Sequence, residues 1–598
     1  LFSFFIFLTN LFSQREILKS FEIAVVLAVA AIPEALPLAL TVILSLGMKR
    51  VFKKKGLFKE LLAAETLGSV SVVCLDKTGT ITEGKMRVVK FEASDKEMAF
   101  LTMLLNNEQK SSLEVALFDF ARENLKEREK EVFKKGNEIF EEPFSSEKKY
   151  SASLWEMEGK KISFLTGAPE IILDFCESKE KEKELIKKRI DEWAEEGLRV
   201  VGFAIKEGDN LEKLKEKRDF QFVGLAGVLD PIRKEAKEMV RMMKRAGIKL
   251  KIVTGDYRKT AEKVVENLGF HLKPENVMEG NELEEVSKED LKRRIENIFL
   301  FSRITPHQKR KIIEALQERG EIVAMTGDGV NDVLALKEAD IGIAVGEASE
   351  VVKEAAKLVL LDSNFKTIIS ACQEGRLIFS NIKKTVNYVL SNSFLEIGIL
   401  FFAGLLKFPP PLSVVQILFL HFICDGPPDL MFAFEKKERD LMKRRPVDIK
   451  KEPIFDRKSL FTIINTTLFL SFFSLLIFWK FGIKEGDLKL ANTLVFSILA
   501  SVDLIYAISF KNLRKPIFQM ENLFSNKFLF FSIFFGFFFL FLAIYFQPLS
   551  KILNTLPLNF WHWFIVLVVG FLTLVVLELT KLIFSFFERR NNKNLENF

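Results

Sequence analysis

Two sets of acidic residues in this 598-residue chain sit where their surroundings give them chemical work. The first is a single aspartate, in Asp76-Lys77-Thr78-Gly79-Thr80-Ile81-Thr82, directly after the apolar run Val72-Val73-Cys74-Leu75. Such a run reads as a buried parallel strand. Asp76 then lies at the carboxyl end of a strand, where open α/β sheets hold their ligands. The hydroxyls and glycine behind it suit a tight, phosphate-cradling loop. The second set is Glu34, Glu396, Asp425 and Asp503, each inside a different long apolar run. A carboxylate in a bilayer is expensive and by default marks a functional site. Glu34 sits in Ala31-Ile32-Pro33-Glu34-Ala35-Leu36-Pro37, where two prolines remove hydrogen-bond donors and free carbonyls nearby. The carbonyls of Val29, Ala30 and Ile32 can then turn to a cation beside Glu34. Ser393 and Glu396 are three apart and share a helix face; His421, Cys424 and Asp425 share another, at i, i+3 and i+4.

Apolar and charged residues must be segregated in a chain that is 48% hydrophobic yet 28% charged. Residues 52–383 are Lys/Glu-rich and read as soluble, while 18–50 and 384–586 are dominated by apolar runs. The length criterion for crossing a bilayer places spans near Phe21–Leu46, Val386–Leu406, Leu412–Phe434, Leu460–Phe481, Leu490–Phe510, Phe528–Phe546 and Trp561–Phe584. The apolar stretch Leu1–Leu11 reads as the tail of a further membrane helix. Lys436–Lys451, Lys511–Lys527 and the tail from Arg589 are Lys/Arg-rich, whereas Lys407–Ser413 and Gln547–Asn559 carry one Lys each. That asymmetry puts the first set, and the 52–383 block with it, in the cytosol. The net charge of +7 is scattered, with no Arg/aromatic patch, so nucleic-acid binding is excluded. Four isolated cysteines without a C-x-x-C pair exclude a disulfide framework. Within the soluble block, strands at Val70–Leu75, Phe222–Leu229, Lys249–Val253, Ile322–Met325 and Ile341–Val345 each end in a polar turn, the pattern of a doubly wound parallel sheet. Residues 91–221 read as an insert, and Asn591–Phe598 as a disordered end.

The Asp76–Thr82 string resembles the phosphorylation signature of P-type ATPases, ion pumps that pass through an aspartyl-phosphate. Asp230-Pro231-Ile232-Arg233, Thr254-Gly255-Asp256 and Thr326-Gly327-Asp328-Gly329-Val330-Asn331-Asp332 resemble further motifs of that family, in the family's order. The resemblance covers essentially the whole chain. It implies a haloacid-dehalogenase-like α/β phosphorylation domain, an inserted α+β nucleotide-binding domain and an α-helical membrane bundle, with ATP and Mg²⁺ as cofactors. Asp76 becomes the nucleophile. Asp328, with Asp76 and the Thr78 carbonyl, would hold Mg²⁺, a cation that prefers oxygen ligands. Thr254 and Gly255 would bind phosphoryl oxygens and Lys309 would neutralise phosphate charge. Lys77, Asp256, Asn331 and Asp332 would complete the frame. Related phosphatases carry a second aspartate where this chain has Thr78, so the acyl phosphate here should be longer-lived.

In the insert, the resemblance implies that Phe144 stacks on adenine, that Lys149 faces phosphate, and that Glu114, Gly167 and Arg199 line the nucleotide site, joined by Asp230 and Arg233. The family's lysine before that glycine is Thr166 here, which removes a cation from the pocket mouth. The expected boundaries are 1–13, a partial membrane helix; 14–51, the helix carrying Glu34; 52–90 and 222–383, the two parts of the phosphorylation domain; 91–221, the nucleotide domain; 384–586, the remaining membrane helices; and 587–598, a cytosolic tail. The Glu34 string resembles the P-E-G-L-P of calcium-type pumps, with Ala35 for glycine. Those pumps carry asparagine where Ser393 and His421 stand, and threonine where Cys424 stands. The transported-ion set is thus Val29, Ala30, Ile32, Glu34, Ser393, Glu396, His421, Cys424, Asp425 and Asp503. Ca²⁺ leads, since it takes six to eight oxygens. Zn²⁺, Mn²⁺ or Mg²⁺ come next, then H⁺ or a monovalent ion; a membrane-tethered, non-transporting regulator is the reading from another class. The implied location is a multi-pass protein of the plasma or inner membrane, in contact with lipid.

Overall fold

The computed structural model describes residues 25–126, 132–134, 136–145, 147–177, 180–208, 219–362, 364–444, 446 and 454–596; for Thr78 and 587–596 only the backbone is described. The Leu1–Leu11 segment and the start of the Phe21–Leu46 span lie outside these residues. The chain divides into two compact units, Val70–Ile369 and the remainder.

Seven strands of the first unit form an all-parallel sheet. In chain order they are β1 (Val72–Leu75), β8 (Lys249–Val253), β9 (Val277–Glu279), β10 (Leu300–Ser302), β11 (Val323–Gly327), β12 (Ile341–Val345) and β13 (Leu358–Leu360). Their spatial order is β13-β12-β11-β1-β8-β10-β9. Every residue of β1, β11, β12 and β13 is buried, because helices cover both faces of such a sheet. The centre of the sheet is where the register matters. Cys74 pairs with Met325 on one side and Lys251 on the other, so β1, β11 and β8 end side by side.

The second sheet is antiparallel and six-stranded, built from β2 (Arg87–Ala93), β3 (Gly136–Glu142), β4 (Tyr150–Met157), β5 (Lys160–Gly167), β6 (Arg199–Glu207) and β7 (Gln221–Leu229), in the order β2-β7-β6-β5-β4-β3. This corrects the expectation that Phe222–Leu229 belongs to the parallel sheet. The strand pairs with β2 and β6 instead. The physical reason is that this sheet, too, is covered on both faces. Phe164 and Phe203 join the core under helices Lys96–Leu105 and Ser112–Leu125, while Leu165 and Ala204 join the core under Pro169–Asp174. A strand buried on both faces loses its period-2 alternation and reads like a parallel one.

The other unit is helical. Six helices among the described residues are long and apolar enough to cross a membrane: Phe365–Leu405, Val414–Phe434, Arg457–Lys484, Leu488–Phe510, Lys527–Tyr545 and Phe560–Phe586. Each overlaps one of the six later expected spans, and the first begins at Phe365 rather than at the expected Val386. Around Glu34 the helix breaks at residues 31–35 and resumes as Leu36–Lys53. The last helix continues to Glu596, through the tail expected to be disordered. Extending an existing helix avoids the cost of nucleation, which is the step that polar sequences fail at.

Candidate active site and cation site

Asp76 emerges from β1 between its two neighbours, and the strand ends supply its surroundings. Its backbone N–H donates to the Thr326 hydroxyl at 3.0 Å. The chain then makes a wide π-type turn over Lys77–Ile81. Gly79 stands at φ 69°, and a Cβ there would meet an Asp328 carboxylate oxygen at 3.0 Å, so glycine is what lets loop and acid approach. Asp230 and Arg233 clamp this turn from outside. The Asp230 carboxylate accepts from the Thr82 hydroxyl at 2.6 Å and the Gly84 N–H at 2.9 Å. Arg233 donates to the carbonyls of Thr82 and Gly79. The motif expected to touch nucleotide therefore shapes the loop.

Lys309 arrives from the helix Pro306–Glu318. Thr305 and Gln308 form a reciprocal cap at its start and Pro306 occupies the first turn, which fixes where the helix begins. The Lys309 ammonium reaches Asp76 at 2.5 Å and Asp332 at 2.6 Å, all three buried. Oxygens of Asp76, Asp328 and Asp332 all lie within 4.8 Å of one another. Burial pushes the Asp76 carboxyl up to about 6; Lys309 opposes the shift, and Asp332 and Asp328 add to it. Burial and then Asp332 likewise raise Asp328. Burial disfavours the Lys309 cation, but Asp76 and Asp332 outweigh it and hold its pKa above the ordinary value. Three carboxylates sharing one ammonium are short of positive charge, and that deficit suits a hard divalent cation such as Mg²⁺. On the opposite side, Thr254 is buried at the end of β8 and its hydroxyl accepts from the Asp256 N–H at 3.2 Å. Asp256 pairs with Lys77 at 2.5 Å, an ion pair the sequence did not announce. Gly255 and Asn331 are exposed.

The expected nucleotide residues gather at one end of the antiparallel sheet. Tyr150 pairs with Gly167 and Gly167 with Gly202, so Lys149, Gly167 and Arg199 lie at the same edge. A Cβ on Gly167 would meet the Lys149 carbonyl at 2.5 Å, so only glycine fits there. Phe144, Lys149 and Arg199 are exposed. Asn106 and Asn107 tie the Glu114 helix to this edge, donating to Ser151 and to the Glu114 carbonyl. Glu114 itself caps that helix, its carboxylate accepting from Ser111 and Lys110 at 2.9 Å. The Thr166 hydroxyl is buried with no hydrogen-bond partner.

In the membrane unit the broken helix behaves as two prolines dictate. The Glu34 N–H turns to the Ile32 carbonyl at 3.1 Å, which leaves the Ala30 carbonyl without its usual donor. Pro33 has no N–H to give the Val29 carbonyl, which accepts from the Ile32 N–H at 3.1 Å instead, so of the three carbonyls expected to be freed, those of Val29 and Ile32 both accept a backbone hydrogen bond. His421 stands between two carboxylates, its Nδ1 2.8 Å from Glu34 and its Nε2 3.0 Å from Glu396. Glu396, His421 and Asp425 have ligand atoms within 4.8 Å of one another. The stretch Leu420–Asp425 is a π-type turn, a geometry frequent at functional sites. Cys424 is not in that group and packs in the apolar core. Ser393 is buried on the Glu396 helix. Its neighbour Asn392 makes the contact that matters, donating to Asp425 at 2.8 Å. Both oxygens of Asp503, and Oε1 of Glu396, are buried without a hydrogen-bond partner. Burying a carboxylate in that state is costly, which by default marks a functional site. Asn392, Tyr388 (whose hydroxyl donates to the Asp503 carbonyl at 2.8 Å) and the buried Asp429 were missed in the sequence.

Comparison with known proteins accords with this geometry. Residues 70–340 match the family described as haloacid dehalogenase-like hydrolase, and residues 409–583 match cation transporting ATPase, C-terminus. A calcium-transporting ATPase of Bacillus subtilis (strain 168) is 32% identical over 92% of this chain and 68% of its own length. Calcium-transporting ATPase 1 of Bacillus cereus is 33% identical over 96% of this chain and 70% of its own. The human calcium-transporting ATPase type 2C member 1 is 32% identical, over 91% and 64%. Kinship of that extent, with the two Bacillus proteins matched over more than two thirds of their length, makes the chain a member of the P-type cation-transporting ATPases, multi-pass membrane enzymes that hydrolyse ATP in cytosolic domains to move a cation.

Proposed function

We propose that the chain forms an aspartyl-phosphate at Asp76 from ATP and uses it to drive Ca²⁺ across the membrane. The observation that carries the reading is the Asp76–Lys309–Asp332 group, with Asp328 beside it, at the meeting point of three strand ends. An Asp76 carboxylate oxygen attacks the γ-phosphorus of ATP. The bond from that phosphorus to the β–γ bridging oxygen breaks, and ADP leaves. Lys309 neutralises charge on the transferring group while holding the nucleophile in line. Thr254 and Gly255 offer a hydroxyl and an N–H to its oxygens. Asp76, Asp328 and the Thr78 carbonyl, with Asp332 close by, would hold Mg²⁺, which would supply charge neutralisation there. Phe144, Lys149, Gly167, Arg199 and the Glu114 helix form the nucleotide's seat.

Ca²⁺ is supported by the oxygen-rich membrane group and by the names of the relatives. One observation favours a second reading. His421 places two ring nitrogens between Glu34 and Glu396, and nitrogen donors suit a borderline ion such as Mn²⁺ or Zn²⁺. His421→Asn separates the two. If Ca²⁺ is carried, cation-activated phosphorylation should keep or sharpen its Ca²⁺ response, since asparagine adds an oxygen ligand. If the parent never responds to Ca²⁺, and Mn²⁺ or Zn²⁺ activation disappears in the variant, the calcium reading fails.

A further inference from the structure

A cavity of about 470 Å³ in the Val70–Ile369 unit lies outside the chemistry proposed above. No carboxylate lines it, and every polar side chain in its wall can donate a hydrogen bond: Arg233, Lys234, Lys237 and Lys263, with the Thr260 hydroxyl and the Asn267 amide. Lys263 already has a partner, Glu266 at 3.4 Å. Arg233 donates to the carbonyls of Thr82 and Gly79, which leaves its charge in place. Among the described residues, neither Lys234 nor Lys237 has an ion-pair partner. The acids close by in the chain are engaged elsewhere or stand outside the wall. Glu196 pairs with Lys90, Glu262 pairs with Arg258, and Asp230 accepts from Thr82 and Gly84. Glu235 and Glu238 are exposed and do not line the cavity. The undescribed stretches nearest in the chain, 178–179 and 209–218, join it beside Phe220, at the other end of β7 from Leu229 and roughly 25 Å along that strand.

A wall of donors with no carboxylate to repel an anion suits phosphate oxygens, and charged donors make the stronger bonds to them. Leu229 and Val264 add an apolar side. The volume falls in the range of small-molecule clefts, with room for two linked phosphates. We propose that this cavity binds a diphosphate group, either as inorganic pyrophosphate or carried on a nucleotide. Gly197, in the turn that leads into β6, lines the cavity opposite the Arg258–Asn267 helix that follows β8. A diphosphate held here ties the antiparallel sheet to the parallel one, beside the arginine that clamps the Asp76 turn.

The test is calorimetry of the purified full chain in detergent without Mg²⁺, titrated with pyrophosphate and separately with ADP. Pyrophosphate should bind, and Lys234→Gln and Lys237→Gln should each weaken it roughly fivefold, about the worth of one charge-assisted hydrogen bond at a site open to water. Both lysines are exposed, so the unfolding temperature of each variant without ligand should stay at the parent value. Thr254→Ala, at the Asp76 site, should leave pyrophosphate affinity unchanged. No pyrophosphate binding, parental affinity in both lysine variants, or a loss confined to Thr254→Ala overturns the site. ADP separates the two sources of the diphosphate. A second ADP per chain, weakened by Lys237→Gln, assigns the cavity to a nucleotide; a single ADP, indifferent to Lys237→Gln, assigns it to the inorganic ion.

Discussion

At the scale of the residue, the account turns on one ammonium between two buried carboxylates. Lys309→Met leaves Asp76 and Asp332 buried without their cation, and breaking a buried pair this way costs about 3–5 kcal/mol. Chemical denaturation should register that loss for the Val70–Ile369 unit. Adding Asp76→Asn in the same chain should recover part of it, because one orphaned charge is gone; an additive double variant would mean the pair is not coupled. The pH dependence has a definite sign. Asp76 attacks as a carboxylate, and burial holds its pKa up to about 6, so the rate of phosphoenzyme formation measured before added Mg²⁺ saturates should fall as pH drops through that value. A rate flat from pH 7 to 5 would contradict it. Much of this site was legible in the chain, since Asp76, Asp328, Asp332 and Lys309 each follow a strand end or a helix start with its own local signal. Asn392 was not. It carries no unusual spacing, and only the folded bundle brings it, in place of Ser393, to Asp425.

At the scale of the element, close helix contact is set by glycine. A Cβ on Gly398 would lie 2.3 Å from Thr467 Cγ2 and 2.9 Å from the Ser471 hydroxyl, on the helix next to the one carrying Glu396. Gly398→Ala should therefore destabilise the membrane unit by about 1–3 kcal/mol, as overpacking does. Thr467→Ser, which removes that methyl, should restore most of it in a thermal-unfolding assay; no rescue would mean the contact is not the cause. In the antiparallel sheet, Thr166 pairs with Ser151 on the face that carries Asn106 and the Glu114 helix. Thr166→Lys puts a cation at this partly desolvated edge and should tighten ATP binding about fivefold by calorimetry. Unchanged affinity would show that another group already meets the phosphates. The sequence marked the six later spans closely because composition alone sets their length. It misassigned Gln221–Leu229, because burial on both faces erases the alternation that separates one sheet from another. The π-type turn at Leu420–Asp425 had no signal in the residue pattern either; the fold keeps His421 and Asp425 together and leaves Cys424 in the apolar core.

At the scale of the molecule, the chain passes between a haloacid dehalogenase-like unit and a membrane unit, at Ser69–Val70 and again at Ile369–Ser370. Each holds one cluster of acids short of cations, and these are the two metal-capable groups found among the described residues. The sequence separated them through its segregation of charge from apolar runs. What it could not give is the state of each carboxylate, which depends on burial that only the fold creates. A pump requires the two clusters to be linked, so that ATP phosphorylates Asp76 when the membrane group holds its ion. The direct measurement is labelling of the full chain in membranes with γ-labelled ATP, with Ca²⁺ present and with Ca²⁺ chelated, in the parent and in Asp76→Asn. The account predicts an acid-stable, hydroxylamine-sensitive label in the parent that depends on Ca²⁺ and is absent from Asp76→Asn. Label that persists in Asp76→Asn, or that forms in the parent regardless of every cation, would contradict it.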